Sequence, residues 1–434
     1  MPLPSIMPSI SELPIAGELE KDSTDGVHKL RRRRRKRKKK KVTAEQLLAS
    51  RYVHEWAFGH SEPSDDGAGR VLFELHSHSK FSDGFLSPAA LVERAHRNGV
   101  KVLALTDHDT MAGIPGAIEA AQKFNMRIIP GVEISAVHSP GDEPGEEEPL
   151  HILAYYGCCG PSMCEELDDL LANIRDGRYV RAKEMLAKLG KLKMPLKWED
   201  VANIAGKGVA PGRVHVARAM VDAGYVENLK QAFSKYLYDG GPAYAKGAEP
   251  SAKSVVELIC RSGGVATLAH PWALKNSVFV IESLKDAGLH GVEVYRSDGM
   301  LAGFSNLADT YELLKLGGSD YHGRKTDDES DLGSVHLPVL DVFKFLKLAS
   351  PIWCGATKKI FRSFLEEPSA ANMKKFNFYK PDKSNCCGKD CFDLCLSSWL
   401  SDEEKQKAEL ENIRIKLSDT VVSKVGLHLE LDSR

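Results

Sequence analysis

The sequence predicts an α/β protein: a distorted seven-stranded (β/α)7 TIM-like barrel with a helical insertion. Apolar, strand-like runs alternate with helix-like segments from residue 71 onward, and parallel strands require such helical crossovers. Seven short strand-like runs are spread over about 250 residues, which suits a barrel. Between residues 161 and 250 helical spacing replaces the alternation, and this change indicates the insertion.

The predicted strands are short apolar runs that tend to end in a polar residue. They are Val71–His76, Lys101–Thr106, Arg127–Val132, Leu150–Tyr155, Val265–His270, His290–Tyr295 and Leu314–Gly318. Two helix-like segments connect the first three runs. They are Pro88–Arg97, with Ser87 as its N-cap, and Ile114–Phe124. The chain therefore begins as a βαβ series.

The insertion is predicted from leucine and alanine positions that recur at helical spacing. One such series contains Leu167, Leu171 and Ile174, and a second contains Ala182 and Met185. A loop rich in Gly and Pro at residues 238–244 ends the helical region. We expect residues 70–340 to form the catalytic domain, with residues 161–250 as a lid over its mouth.

Residues 1–69 are predicted to be disordered, because they contain Pro, Ser and charged residues and little apolar surface to bury. Within them, Arg31–Lys41 is a run of eleven basic residues. This run favours nuclear import. A nucleic-acid-contacting arm, a solvated tail and a cytoplasmic protein are the alternatives.

Residues 341–434 are predicted to be a C-terminal extension without a defined role. Lys344–Ser350 and Ser401–Lys416 have helical character. Four cysteines lie between them, at positions 386, 387, 391 and 395, and their spacing does not match common zinc fingers. Reduced or palmitoylated cysteines are favoured over a structural metal site.

Composition excludes several classes of protein. With 42% hydrophobic and 27% charged residues, the chain resembles ordinary globular proteins. It contains no run of 18 apolar residues and no secretory signal pattern, so we expect no membrane span and mostly reduced cysteines. Of 59 basic residues, eleven lie in Arg31–Lys41, whereas 60 residues are acidic. The remainder is therefore acidic, and any nucleic-acid-binding surface must be local.

Metal-capable side chains occur at or just beyond the ends of most predicted strands. His76 and His78 are one residue apart, so strand alternation directs both imidazoles to one side. The others are Asp83, His108, Glu133, His151, His270, Asp320 and His322. Clustered carboxylates would repel one another unless cations lay among them. Their recurrence at strand ends therefore predicts a metal centre.

Five ordered motifs resemble those of the PHP (polymerase and histidinol phosphatase) superfamily. They are Phe73–Gly84, Thr106–Thr110, Pro130–Ser135, Gly263–Pro271 and Gly318–Gly323. The chain is most similar to the branch of nucleotide phosphatases and 5′→3′ exoribonucleases. One departure is Glu74, where the family usually has Asp before Leu-His.

The resemblance implies a centre of two to three divalent metal ions. The first ion would be bound by His76, His78, Glu133 and Asp320; the second by Glu133, His151 and His270; the third by Asp83, His108 and His322. Glu133, Asp320 and His322 are expected to lie closest to the chemistry. Nitrogen and oxygen ligands without a thiolate leave Mn, Zn and Fe open. Asp109 and Glu293 are candidates to orient the imidazoles, with solvent-exposed or helix-capping roles as the alternative.

Such a centre suits phosphoester hydrolysis, because paired cations lower the pKa of a water molecule and bind phosphoryl oxygens. The segment Gly212–Arg218 resembles the phosphate-binding Arg-x-His segment of the nucleotide branch. Arg213 is therefore expected to contact the substrate phosphate, with His215 as a partner. Arg178, Arg181 and Lys246 are further candidates.

The predicted substrate is a nucleoside 3′,5′-bisphosphate or a short 5′-phosphorylated RNA. A histidinol-phosphatase-like activity is one alternative, and a non-enzymatic nuclear binding module is the other. The complete set of nine metal-capable residues argues against the binding module. The sequence identifies no protein partner.

Overall fold

A computed structural model describes residues 42–58, 70–139, 147–324, 329–367, 372, 411–413 and 415–416. The elements below belong to the unit that runs from Thr43 to Arg434. The basic run Arg31–Lys41 and the four cysteines between residues 386 and 395 lie outside the described residues. None of the described helices is both long enough and apolar enough to cross a membrane.

Eight described strands form one mixed sheet with the order β1-β2-β3-β4-β5-β6-β7, and β8 pairs with β6. The strands are β1 (Leu72–Glu74), β2 (Val100–Leu105), β3 (Arg127–His138), β4 (Glu148–Tyr155), β5 (Val265–Leu268), β6 (Gly291–Arg296), β7 (Gly299–Met300) and β8 (Leu314–Gly317). All seven predicted strands are present, and β7 is a two-residue addition. An isolated parallel bridge between Ser77 and Tyr321 joins the chain after β1 to the chain after β8.

Strand β4 runs antiparallel to both of its neighbours, β3 and β5, whereas β1–β2–β3 and β5–β6–β8 pair in parallel. The βαβ series therefore does not extend through the fourth strand. Because β4 is reversed, its beginning meets the end of β3, and His151 lies opposite Ser135. This reversal explains how a residue near the start of a strand reaches the edge where the other strands end.

Eleven α-helices are described. They are α1 (Ala44–Phe58), α2 (Pro88–Arg97), α3 (Ile114–Gln122), α4 (Cys164–Lys191), α5 (Trp198–Ala205), α6 (Arg213–Asp222), α7 (Leu229–Ala232), α8 (Ala252–Arg261), α9 (Ser277–Asp286), α10 (Ala302–Thr310) and α11 (Val339–Glu366). Helix α2 begins as predicted, because the Ser87 hydroxyl accepts a hydrogen bond from the Ala90 amide at 3.3 Å. Its buried face carries Leu91, Val92 and Ala95 against the main core.

The predicted insertion is helical and contains a hydrophobic core of its own. Helix α4 connects it to the sheet, because Leu167 and Leu171 near its start belong to the main core. Further along the same helix, Met185 and Leu189 pack in a second core with residues of α5 and α6. The insertion is therefore anchored to the sheet through a continuous 28-residue helix.

Two predictions about the ends of the chain are corrected. Helix α1 lies inside the range predicted to be disordered, and its Val53 and Trp56 are buried in the main core. Helix α11 begins at Val339, and its Phe345 is likewise buried there, so the domain does not end at residue 340. Helix α1 was missed because its burial depends on α11 and on the sheet. The predicted helical segment Lys344–Ser350 lies within α11, so for that helix only the extent and the packing against the main core were missed.

Candidate metal centre

His76 and His78 follow β1 and are both completely buried. Their backbone is held by Glu74, whose carboxylate accepts hydrogen bonds from the amides of His76 (3.2 Å), Ser319 (2.9 Å) and Gly333 (2.8 Å). Burial raises the pKa of Glu74, although these amides oppose the shift. Glu74, the one departure from the family pattern, thus links the end of β1 to the loop after β8 through these hydrogen bonds.

A close backbone approach at Gly318 makes this junction possible. A Cβ atom at that position would lie 2.4 Å from the Cβ of His76 and 2.5 Å from its backbone nitrogen. These separations are shorter than any van der Waals contact, so a larger residue would displace the histidine.

Glu133, on β3, lies at the centre of five imidazoles and is buried. Its nearest nitrogens belong to His151 and His270 at 2.9 Å, His76 and His78 at 3.1 Å, and His108 at 3.3 Å. His151 Nδ1 is also only 3.2 Å from His270 Nε2. Two imidazole nitrogens this close to each other and to one carboxylate oxygen must share a proton or a cation.

Asp320 and Asp83 complete the cluster. Asp320 Oδ1 lies 3.1 Å from His78 Nε2 and 3.3 Å from His76 Nε2. Asp83 Oδ1 lies 3.2 Å from His322 Nε2 and 3.9 Å from His108 Nε2. All nine predicted residues therefore converge, and we call them the strand-end cluster: His76, His78, Asp83, His108, Glu133, His151, His270, Asp320 and His322.

Three overlapping groups in this cluster have ligand-capable atoms within 4.8 Å of one another. They are His76, His78, Glu133 and Asp320; His78, Asp83, His108 and His322; and His108, Glu133 and His151. The first group is identical to the predicted first set. The second group is the predicted third set with His78 added. The third group contains His108 in place of His270, which belonged to the predicted second set.

The chain adopts the left-handed backbone region at three non-glycine residues of the site. They are Asp109 (φ 54°), His270 (φ 30°) and Asp320 (φ 52°). Such conformations cost on the order of 1–3 kcal/mol each and occur preferentially at functional sites. Two of the three belong to the strand-end cluster, so the fold maintains strain where the side chains must converge.

The carboxylates shift the pKa values of the imidazoles. Burial opposes the charged form of His78, but Asp320 and Glu133 outweigh burial and raise its pKa to about 10. Burial likewise opposes charging of His76, yet Glu133, Asp320 and Glu293 raise its pKa well above the ordinary value. In His108 burial dominates and lowers the pKa. A proton and a metal ion therefore compete for the nitrogens of His76 and His78.

The donor set fits divalent cations. Among the described residues, five buried atoms of the cluster make no well-formed hydrogen bond: His78 Nδ1, His78 Nε2, Asp83 Oδ1, His108 Nδ1 and His322 Nε2. Buried polar atoms without a hydrogen-bond partner are energetically costly unless a bound ion or water satisfies them. Imidazole nitrogens and carboxylate oxygens without thiolates are ligands that Zn, Mn and Fe accept.

Two acidic residues beside the cluster have different roles. Glu293 Oε1 lies 3.1 Å from His76 Nδ1, a position from which it can orient that imidazole, and its Oε2 accepts the backbone amide of His270 at 2.7 Å. Asp109 contacts no imidazole in this way. It accepts hydrogen bonds from the Ser135 amide at 2.7 Å and from Arg178 Nε at 2.7 Å.

A cleft of about 230 Å³ lies over the cluster and is closed on one side by the insertion. It is lined by Arg178, Arg181 and Arg213, which were predicted to contact the substrate, and we call them the insertion arginines. Each is paired with a carboxylate: Arg178 with Asp109, Arg181 with Glu249 at 2.9 Å, and Arg213 with Asp239 at 2.6 Å.

His215 and Lys246 were predicted to contact the substrate, but neither of them lines this cleft. His215 is buried; its Nδ1 accepts the Gly212 amide at 2.9 Å, and its ring also bonds the backbone of Ser82. Burial lowers the pKa of His215 to about 4, so it is neutral and fastens α6 to the loop of Asp83. Lys246 lies outside the cleft, with its Nζ 2.6 Å from Glu147 in a neighbouring cavity.

Arg324 lines the cleft and was not predicted from the sequence. Its Nε is buried without a hydrogen-bond partner among the described residues, and its Nη2 is 4.0 Å from Asp83 Oδ2. Arg324 directly follows the Gly318–Gly323 motif. The position of a basic residue next to a strand-end motif could therefore have identified it from the sequence.

Comparisons with known proteins agree with this geometry. The PHP domain model matches residues 74–193. The chain is 33% identical over 262 residues to the 5′-3′ exoribonuclease Rnm of Salmonella typhimurium, covering 58% of this chain and 85% of the relative. It is 31% identical over 290 residues to the 3′,5′-nucleoside bisphosphate phosphatase of Chromobacterium violaceum, covering 61% and 94%.

A solved structure extends the likeness to the fold. The chain matches a crystal structure from Bifidobacterium adolescentis with a TM-score of 0.56 and 28% identity. That protein is named a metal-dependent phosphoesterase, an assignment made by inference. The match covers 66% of this chain and 97% of that one.

Proposed function

This chain belongs to the PHP family, and we propose that it hydrolyses phosphoesters of nucleotides, either nucleoside 3′,5′-bisphosphates or short 5′-phosphorylated RNA. It is a metal-dependent phosphoester hydrolase: its relatives are an exoribonuclease and a bisphosphate phosphatase, and the solved structure that it resembles is named a metal-dependent phosphoesterase. The observation that carries the proposal is the convergence of nine histidine and carboxylate side chains, seven of which line one cleft.

We assign the strand-end cluster as the metal-binding residues, with Glu133 shared between ions because five imidazoles surround it. Divalent cations bound there would lower the pKa of a water molecule and neutralise charge on phosphoryl oxygens. Two to three ions match the three overlapping groups. Asp320, at 44% exposure, and His322 face the cleft and lie closest to the reacting phosphoester.

The protein's own cations bind and orient the substrate. Arg324 is the favoured phosphate ligand, because its Nε has no competing partner among the residues that the structure describes. Arg213 must share its guanidinium with Asp239, whose side chain is 57% exposed, so the pair costs little to open. Arg178 is different: its carboxylate partner Asp109 is fully buried, so it fastens the insertion to β3.

We also infer that the sheet curves into a distorted barrel. The bridge between Ser77 and Tyr321, with the His78 amide bonded to the Tyr321 carbonyl at 2.9 Å, supports this inference. Such curvature would bring the ends of β1 and β8 to one cleft.

A side-by-side assay of the metal-reconstituted protein tests the proposal. The substrates are adenosine 3′,5′-bisphosphate, 5′-phosphorylated oligoribonucleotides and histidinol phosphate, with release of phosphate or mononucleotide as the measurement. We expect both nucleotide substrates to be hydrolysed in preference to histidinol phosphate. Preferential hydrolysis of histidinol phosphate would favour the alternative that the nucleotide-acting relatives argue against.

A further inference from the structure

A second cavity adjoins the cleft, and we propose that it binds a second nucleoside of the substrate. This inference rests on the proposed function and narrows it, because a nucleoside bisphosphate has no second nucleoside and an RNA does. The cavity measures about 560 Å³ and shares Pro149 and Glu249 with the cleft over the metal centre. A group joined to a phosphate at the cluster can therefore extend into it past the start of β4.

Aromatic side chains give the cavity surfaces on which a base can stack. Phe279, on α9, is 47% exposed, and its ring meets His138 edge-to-face with centroids 5.5 Å apart. Tyr244 also lines the cavity. A half-exposed phenylalanine ring in a concave wall is accessible to a ligand, and nucleobases stack on such rings without sequence preference.

The polar groups of the cavity include hydrogen-bond acceptors that suit a nucleoside. Its walls carry the carboxylates of Glu147, Glu148, Asp239 and Glu249. Against these stand Lys246, whose Nζ is 2.6 Å from Glu147, and Lys275. Asp239 is likewise paired with Arg213, and Glu249 with Arg181. A paired carboxylate keeps lone pairs that accept hydrogen bonds from ribose hydroxyls and base amino groups.

The two sites thus divide the substrate by chemistry. The cleft has the metal-capable cluster and arginines that bind phosphoryl groups, and the cavity has aromatic rings and acceptors that bind an uncharged base and ribose. The substrate class that uses both is a 5′-phosphorylated chain of at least two nucleotides.

The test compares wild type with Phe279→Ala on two substrates that differ only in the second nucleoside: adenosine 3′,5′-bisphosphate and the 5′-phosphorylated dinucleotide of adenosine. Loss of one base–aromatic stack lowers affinity about 5- to 100-fold. We expect kcat/KM on the dinucleotide to fall by that factor, mainly through KM, while hydrolysis of the bisphosphate changes less than about twofold. Phe279→Tyr should restore the dinucleotide activity, since the ring is retained.

Val278→Ala is the matched control, because Val278 is 50% exposed on the same helix but does not line the cavity. Calorimetry with a non-hydrolysable phosphonate analogue of the dinucleotide gives a readout independent of turnover. If Phe279→Ala binds that analogue as tightly as wild type does, the cavity does not hold the second nucleoside. If wild type binds it but hydrolyses neither substrate, the proposed function fails while the binding inference stands.

Discussion

The strand-end cluster and the insertion arginines face the same cleft, but they differ in how far their charges are already paired. In the cluster, five buried nitrogen and oxygen atoms lie close together without a well-formed hydrogen bond among the described residues. Each insertion arginine instead has a carboxylate partner within 3 Å. The cluster is therefore arranged for ligands that the polypeptide does not supply, whereas the insertion arginines bind substrate only where a pair can open.

Of the changes considered, removing metal from the cluster should have the largest effect on the rate of hydrolysis. Stripping the protein with a chelator is expected to lower hydrolysis of adenosine 3′,5′-bisphosphate at least about 1000-fold, because phosphoryl charge would lose several kcal/mol of stabilisation. Readdition of Mn, Zn or Fe should restore it. A stripped protein, verified by elemental analysis, that keeps its full rate would contradict a metal-dependent cluster.

The arginines should differ according to their pairing. Arg324→Ala is expected to keep its metal and lose about 30- to 150-fold in kcat/KM, the loss of one charge-assisted phosphate contact worth about 2–3 kcal/mol. Arg213→Ala should lose about tenfold or less, because Asp239 competes for its guanidinium. Arg324→Lys should recover part of the loss, since an ammonium group cannot donate bidentately. The reverse order of the two alanine variants would show that pairing in the free protein does not decide substrate contact.

A Gly→Ala substitution beneath the cluster should destabilise the protein more than the same substitution elsewhere. Gly318→Ala is expected to destabilise the protein by about 1–3 kcal/mol, because the added methyl group overlaps His76. Gly355→Ala is the control: this glycine lies in α11 with no atom within 4 Å of the added Cβ, so stability should rise by about 0.5–1 kcal/mol. Denaturant midpoints of both variants measure the difference, and equal midpoints would remove the steric argument.

The smallest effect is expected outside the described domain. Removing residues 1–42 should leave hydrolysis of small substrates nearly unchanged, since the first described helix begins at Ala44. Removing residues 1–58 should destabilise the protein, because it deletes buried Val53 and Trp56. If Arg31–Lys41 is a nuclear localisation signal, the shorter truncation should also abolish nuclear accumulation in eukaryotic cells. Nuclear accumulation of that truncation would refute the localisation prediction, which the bacterial relatives do not support.

The sequence was most informative where side-chain chemistry follows directly from strand ends. His76, Glu133 and Asp320 converge because consecutive strands bring their ends to one edge, and residue type with spacing was sufficient to predict this. The reversed direction of β4 was not predictable, since an apolar run reads the same for parallel and antiparallel pairing.

Long-range pairing limited prediction for the arginines and for helix α1. Whether Arg213 or Arg324 has a carboxylate partner depends on residues far away in sequence or on a nearby loop, and no local pattern encodes it. The same reason applies to α1, which is marginal alone and packs against α11 and the main core.

Metal content of three purified proteins tests the central claim most directly: wild type, Glu133→Ala and His322→Ala, each measured by elemental analysis after identical exposure to metal. Glu133 lies within 3.3 Å of five imidazoles and belongs to two of the three ligand groups, whereas His322 belongs to one. We predict that Glu133→Ala retains less metal than His322→Ala, and that both retain less than wild type. Equal metal content in wild type and Glu133→Ala, with both proteins folded, would contradict the assignment of the strand-end cluster as the metal centre.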